Sequence, residues 1–311
     1  MKKVIVLGAT GGMGSALVNE LVDKGIAVTA FARNKNRLEK MFGHQEQIQI
    51  ISGDVFDLKQ LTDAVENMDV IFHAVNIPYQ EWAEKQPLLM ANILKAAKKT
   101  GAKLALVDNI YAYGRSEGAP INEHHEKNPH TKKGKIRLRL EQMAKESEVP
   151  LFIAHFPDFY GPNGNSLLNY TFENMVKNKR AMFIGNQELA REYIYIPDGA
   201  KAMVELAMKN RFDGGNWNIN GTGVITGKEI IDIAREHLGY TKRVSTAGIN
   251  LFRLLGIFDK FMAECKEMLY LTDEAVILDG KKYEKAMGHM PKTSYVQGIE
   301  TTLKSIKAND S

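Results

Sequence analysis

The chain has little that would hold a secreted or membrane-bound protein. One cysteine in 311 residues, Cys265, leaves no partner for an internal disulfide, which favours a reducing, cytoplasmic setting. No apolar run approaches the ~18 residues of a membrane span. The most apolar late segment, 249–258, is interrupted by Arg253 and reads as a buried amphipathic helix, with a lid or a partner surface as the alternative. Met1-Lys2-Lys3 precedes only four apolar residues before glycine, too few for a secretory leader. Neither sign of charge dominates. The 41 basic and 37 acidic residues leave +4, a poor footprint for nucleic acid, so neither a nucleic-acid nor a membrane partner is expected. Cys/His ladders and H-E-x-x-H are missing, so no metal is expected; His124, His125 and His130 in a polar stretch are only a loose collection.

What the chain does have is glycine, crowded at its start, and an alternation of short apolar runs with helical patterns. Residues 4–7, 27–32, 48–51, 70–74, 104–107 and 151–154 read as strands. Met13, Ala16, Leu17 and Leu21 recur at helical spacing, with Gly25 as the stop. Further helices are expected over 57–67, 87–99 and 132–147, and 114–130 reads as a loop. Thr226-Gly227-Lys228-Glu229 fits a capping box opening a helix to about residue 238. Strands alternating with helices predict an α/β fold: a Rossmann-like, doubly wound parallel sheet with helices on both faces. From residue 158 the elements shorten and mix. The expected organisation is therefore a dinucleotide-binding lobe over 1–157 and a smaller mixed α+β substrate lobe over 158–311, between which the chain can cross back.

The run Gly8-Ala9-Thr10-Gly11-Gly12-Met13-Gly14 follows the first strand and opens the first helix. Gly8 permits a sharp turn, Gly11 lets backbone approach a pyrophosphate, and Gly14 lets helix and sheet pack closely. The helix N-terminus offers unpaired N–H groups to the phosphates. Its spacing is G-x-x-G-x-x-G, and no G-K-[ST] follows, which argues against a P-loop. The second strand ends Phe31-Ala32-Arg33-Asn34-Lys35, with no carboxylate for a ribose 2′-hydroxyl. Arg33 suits a 2′-phosphate, so NADP is favoured and NAD is the alternative. Asp54, after the third strand, can accept from an adenine amino group or cap the next turn.

These residues resemble the extended and atypical short-chain dehydrogenases/reductases, relatives of nucleotide-sugar epimerases and dehydratases. The resemblance covers nearly the whole chain. It rests on the glycine loop, Gly53-Asp54, Val107-Asp108-Asn109-Ile110-Tyr111-Ala112-Tyr113-Gly114, Pro157-Asp158-Phe159-Tyr160-Gly161-Pro162 and Arg191-Glu192-Tyr193-Ile194-Tyr195-Ile196-Pro197-Asp198. It implies an oxidoreductase or epimerase/dehydratase-like enzyme acting on a carbonyl or hydroxyl, with a nucleotide sugar as one substrate. It also implies a monomer, or a homodimer formed through the helices at 87–99 and 132–147. The Asp108–Tyr111 stretch looks closest to an atypical epimerase/dehydratase-like subgroup.

The chain departs from that pattern at its chemistry. Where the family carries Ser or Thr after strand five, this sequence has Asn109. Where it carries Tyr-x-x-x-Lys, the register gives Lys133 and Arg137, and no Tyr-x-x-x-Lys occurs between Tyr113 and Tyr160. Asn109 can still donate through its amide. Lys133 beside cationic Arg137 can serve as acid/base. Tyr111, on the same face as Asn109 if the segment stays extended, can supply the missing phenol. The competing reading of 131–139 is a solvated basic helix face. A catalytically silent NADP(H) sensor is the rival function.

On the substrate side, the resemblance implies a diphosphate grip for Arg191, which can instead pair with Glu188 or Glu192. Asp158 stands where the family commonly has Asn. The stretch His73-Ala74-Val75-Asn76 ends strand four at the expected nicotinamide crevice. Ala74 and Val75 are candidates toward the cofactor and Asn76 toward the substrate, while His73 reads as a buried, satisfied histidine. Tyr79 and Trp82, in the following loop, are candidate pocket walls.

Overall fold

The first strand shows why the sheet forms. Val4, Ile5, Val6 and Leu7 are all fully buried, as a strand covered on both faces requires. The structure, a computed structural model, describes residues 1–116, 118–248 and 260–310. The apolar segment 249–258 lies outside the described residues.

Seven parallel strands run in the order β10-β6-β5-β4-β1-β2-β3. They are β1 (Lys3–Leu7), β2 (Ala27–Ala32), β3 (Ile48–Ser52), β4 (Val70–His73), β5 (Lys103–Asn109), β6 (Leu151–Phe156) and β10 (Asn216–Asn218). This is the doubly wound order whose switch point falls between β1 and β4, where ligands bind beyond the carboxyl ends of the strands. The register sets Leu7 of β1 beside Phe31 of β2 and His73 of β4, so these three strands end level.

Helices cover both faces. On one, α1 (Gly12–Asp23) packs with α7 (Ile196–Met208) over Val4, Val6, Val28 and Phe72. On the other, α3 (Leu58–Val65), α4 (Trp82–Thr100) and α5 (Lys132–Glu146) cover Ile5, Leu7, Ile71 and Leu104. Local chemistry sets their ends. Asp57 accepts from the N–H groups of Lys59 and Gln60 to start α3, Thr131 accepts from Gly134 to start α5, and Gly101 ends α4 at φ +75°.

The expected start of α4 at Pro87 is corrected. The helix begins at Trp82, preceded by a single 3-10 turn at Tyr79–Glu81, so Tyr79 and Trp82 are not in a loop. Trp82 is the reason: its indole N–H donates to Ile77 O at 2.8 Å and its ring is buried. Pro87, the sixth residue of α4, lies inside the helix and has no N–H to donate to Ala83 O.

After β6 the chain builds smaller sheets. β7 (Asp158–Tyr160), β9 (Ala190–Tyr195) and β11 (Val224–Thr226) form one, and β8 (Ala181–Ile184) pairs with β12 (Val244–Ala247). The helices α6 (Leu167–Val176) and α8 (Gly227–Leu238) pack there around Phe172, Phe183 and Ile230. The capping box at Thr226 and Glu229 is formed. Between these pieces α7 and β10 return to the large sheet, where β10 pairs with β6.

Candidate active site

The glycine turn is shaped by what surrounds it. Gly8 sits at φ +83°, and a Cβ there would lie 2.8 Å from Ala74 O and 2.9 Å from Val75 Cα. The β1–α1 turn and the end of β4 thus leave no room for a side chain between them. A Cβ on Gly14 would fall 2.1 Å from Gly8 O, so α1 lies directly on its own turn. A Cβ on Gly12 would meet Asn163 O at 3.0 Å, because the turn at 161–164 leans over the loop. Gly11 differs: it is exposed, and a Cβ would have only Gly8 O within 4 Å, at 3.4 Å. As N-cap of α1 it has no side chain to offer, and no acidic residue occupies the first turn. The helix therefore opens with donors and a positive dipole end facing outward. Thr10 is half-buried beside Gly11, and Met13 is buried against Gly199.

Arg33 leaves the end of β2 exposed, and its carbonyl accepts from Ser52 Oγ. Asn34 caps α2 (Lys35–Phe42). Asp54 accepts from Phe56 N–H at 3.0 Å, the local capping role set against adenine recognition above. His73 is buried, and its Nδ1 accepts from Val75 N–H. Burial, with Arg137 nearby, lowers its pKa to about 3, so it stays neutral. Asn76 is exposed and its Oδ1 accepts from Ile77 N–H.

Asn109 ends β5, but the chain does not remain extended. Ile110–Ala112 is a 3-10 turn started by Asn109, whose Oδ1 accepts from Tyr111 N–H at 3.0 Å. The expectation that Asn109 and Tyr111 share a strand face is therefore corrected: an Asn side chain that can reach backbone two residues on favours a turn. The turn aims Tyr111 at Tyr79, their hydroxyls 2.7 Å apart. Trp82 packs edge-on to Tyr79 and near Tyr111. Burial raises the Tyr79 phenol to about 12 and Tyr111 well above the ordinary range, so both are neutral hydrogen-bonding groups.

Lys133 and Arg137 are not the solvated face of a basic helix. Lys133 is 1% exposed, and its ammonium is held by Glu264 and by Glu267, the latter at 2.8 Å. It also lies 5.1 Å from the Tyr79 ring centre. Glu267 additionally accepts from the backbone N–H groups of Lys132 and Lys133 at the start of α5. Arg137 stacks over Trp82 at 4.5 Å and pairs with buried Asp108 at 3.5 Å. The expected mutual influence of the two cations is thus corrected: each has its own carboxylate partner. Sequence reading could not reach Glu264 and Glu267, which lie 131 and 134 residues beyond Lys133. Their i, i+3 spacing marks one helix face but says nothing of its partner.

Behind the turn, His155 of β6 hydrogen-bonds through Nδ1 to Asn109 O at 3.2 Å and through Nε2 to Lys127 Nζ at 3.0 Å. Lys127 pairs with Glu141, and Glu141 also holds Lys145 and Asn216. Tyr113 is buried and donates to Asn218 at 2.7 Å. On the small-lobe side, Arg191 of β9 pairs with Asp158 of β7, which corrects the expected pairing with Glu188 or Glu192. Glu192 instead accepts from the N–H groups of Gly221 and Leu278.

Residues 8–153 match a family model described as NAD(P)H-binding. A curated relative from Methanocaldococcus jannaschii, named "Putative UDP-glucose 4-epimerase", is 25% identical over 99% of both chains. Among solved structures, UDP-glucuronic acid 4-epimerase from Bacillus cereus in complex with NAD aligns with a TM-score of 0.83 at 18% identity, over 99% of this chain and 100% of that one. dTDP-glucose 4,6-dehydratase from Bacillus anthracis in complex with NAD gives 0.80 at 17% identity, over 100% and 98%. Residues 8–153 thus match an NAD(P)H-binding family model, and the chain shares the fold of the solved epimerase and dehydratase with which it aligns.

Proposed function

We propose that the chain is an NADP(H)-dependent oxidoreductase or epimerase/dehydratase-like enzyme acting on a carbonyl or hydroxyl of a small molecule. The observation that carries this reading is the meeting of two arrangements at the carboxyl end of the sheet. The open glycine turn follows β1, and Asn109, Tyr111 and Tyr79 gather beyond the neighbouring β4 and β5. The cradle at Gly8, Gly11 and Gly14 fits a dinucleotide: it is closed to side chains at Gly8 and Gly14 and open at Gly11. In this reading Gly8, Thr10, Gly11, Gly12, Met13 and Gly14 hold the pyrophosphate. Arg33 meets a 2′-phosphate, Asp54 the adenine, and Ala74 with Val75 the nicotinamide side. Residues 1–157 form the cofactor lobe and 158–311 the substrate lobe, with α7 and β10 lent back to the first.

When bound, NADP(H) supplies or accepts the hydride. The chain's own residues handle the proton and the charge. Asn109 donates from its amide to the oxygen on which charge develops. Tyr111 gives that oxygen its proton on reduction and takes it back on oxidation, with the Tyr79 hydroxyl as the next proton carrier. Burial keeps the Tyr111 phenol in its neutral, proton-bearing form, the form that reduction uses. Lys133 and Arg137 fix Tyr79 and Trp82 from behind. Asn76, Trp82, Asp158 and Arg191 border the substrate. A nucleotide sugar is one class in keeping with the relatives' names.

Titration with NADPH and NADH tests the cofactor half; binding of neither would sink the proposal. A structure with NADP⁺ tests the rest, with Asn109 and Tyr111 expected within hydrogen-bond reach of a site facing nicotinamide C4. One observation favours a second reading, a silent NADP(H) sensor: Lys133, at the family's tyrosine position, is buried and clamped by two carboxylates. Bound dinucleotide with that site filled by side chains would decide for the sensor.

A further inference from the structure

We propose, resting on the reading above, that this site takes an uncharged carbonyl or hydroxyl compound with an aromatic or aliphatic body, and not a nucleoside-diphosphate sugar, because its cations are already matched by carboxylates of the same chain. Among the described residues, three cations lie at the site: Arg191, Arg137 and Lys133. Arg191 pairs with Asp158, Arg137 with Asp108, and Lys133 with Glu264 and Glu267. Those partners sum to one negative charge in excess. Slightly farther out, Arg115 pairs with Glu274.

Arg191 decides the matter. It is 7% exposed, lies 5.2 Å from the Tyr193 ring centre and bonds to Asp158 through a terminal guanidinium nitrogen. Register explains the meeting. Asp158 of β7 sits opposite Tyr193 of β9, and Arg191 is two residues back on the same face of β9. A diphosphate seeking Arg191 would have to displace this carboxylate and then sit beside it, two anions against one. An amide at position 158 would impose neither cost.

The walls point the same way. Tyr79 and Tyr111 meet through their hydroxyls, and Tyr193 lies beside Arg191, which pairs with Asp158. Trp82 backs the first two. Phenol faces suit apolar or aromatic substrate bodies, and neutral hydroxyls suit a carbonyl or alcohol.

The test is equilibrium titration of the native chain and of Asp158→Asn with UDP, in the presence of NADPH. The native chain should bind UDP more weakly than ~1 mM, and Asp158→Asn should bind it at least tenfold more tightly by freeing Arg191. Micromolar UDP binding by the native chain, or no gain in the variant, overturns the proposal. The native titration is decisive even if the variant folds poorly. NADPH binding, read in the same samples, separates the two claims: its loss refutes the cofactor reading, whereas UDP affinity alone judges the substrate class.

Discussion

The hydroxyl of Tyr79 lies 2.7 Å from that of Tyr111, although the two residues come from different strand ends and only Tyr111 follows Asn109 in sequence. If Tyr111 handles the substrate proton, Tyr111→Phe lowers turnover about 10²–10⁴-fold, the usual worth of a positioned acid/base. Tyr79→Phe acts through Tyr111 and costs less, about tenfold. It lowers kcat while leaving KM near its native value, a split that a general loss of structure would not give. NADPH oxidation across pH, with a carbonyl substrate found by panel screening, reads both.

Removing opposite ends of the Lys133 clamp has unequal costs. Lys133→Met leaves two carboxylates that can still reach water. Glu264→Gln with Glu267→Gln leaves a buried ammonium with no counter-charge, an arrangement that costs about 3–5 kcal/mol. Urea unfolding should show the double glutamine variant to be the less stable. Equal losses would mean that the clamp is weaker than its geometry implies.

Gly11 and Gly14 separate binding from folding. Gly14→Ala places a methyl 2.1 Å from Gly8 O and should destabilise the protein by about 1–3 kcal/mol. Gly11→Ala meets nothing closer than 3.4 Å and should leave the unfolding midpoint nearly unchanged while NADPH affinity falls at least tenfold. Unchanged affinity in Gly11→Ala would remove the pyrophosphate from this turn.

Arg33→Ala should weaken NADPH binding about 10–100-fold, the worth of one or two charge-assisted hydrogen bonds, and leave NADH binding as it was. Parallel fluorescence titrations check the ratio. Equal loss for both cofactors would assign Arg33 a general electrostatic role.

Burial of His155, with Lys127 beside it, lowers its pKa from 6.5 to about 4. Between those values the unfolded chain binds the proton more readily than the folded one, so stability falls as pH drops through that window. His155→Gln should flatten the stability slope between pH 6.5 and 4 while still reaching Asn109 O. Thermal unfolding across pH would expose an unchanged slope.

The large sheet was legible because its strands are continuous apolar runs. Residues 27–32 were bounded to the residue, and the capping box at Thr226 was placed where it forms. The start of α4 was not, because Pro87 is a stronger local signal than the indole hydrogen bond that anchors Trp82 five residues earlier. At the site, the sequence marks Asn109 and Tyr111 but not their relation, because the Asn side chain folds the backbone into a turn. Asp158 and Arg191 were named separately, but their pairing depends on the β7–β9 register, which no local pattern encodes.

The return of β10 to the edge of the large sheet means that the chain cannot be divided by cutting it. A fragment ending at residue 157 would leave the outer side of β6 bare, with the backbone groups that Asn216, Trp217 and Asn218 normally engage exposed as a template for self-association. During synthesis the same edge waits some sixty residues for its partner. The sheet that residues 3–156 begin is thus completed only after some sixty further residues have been made.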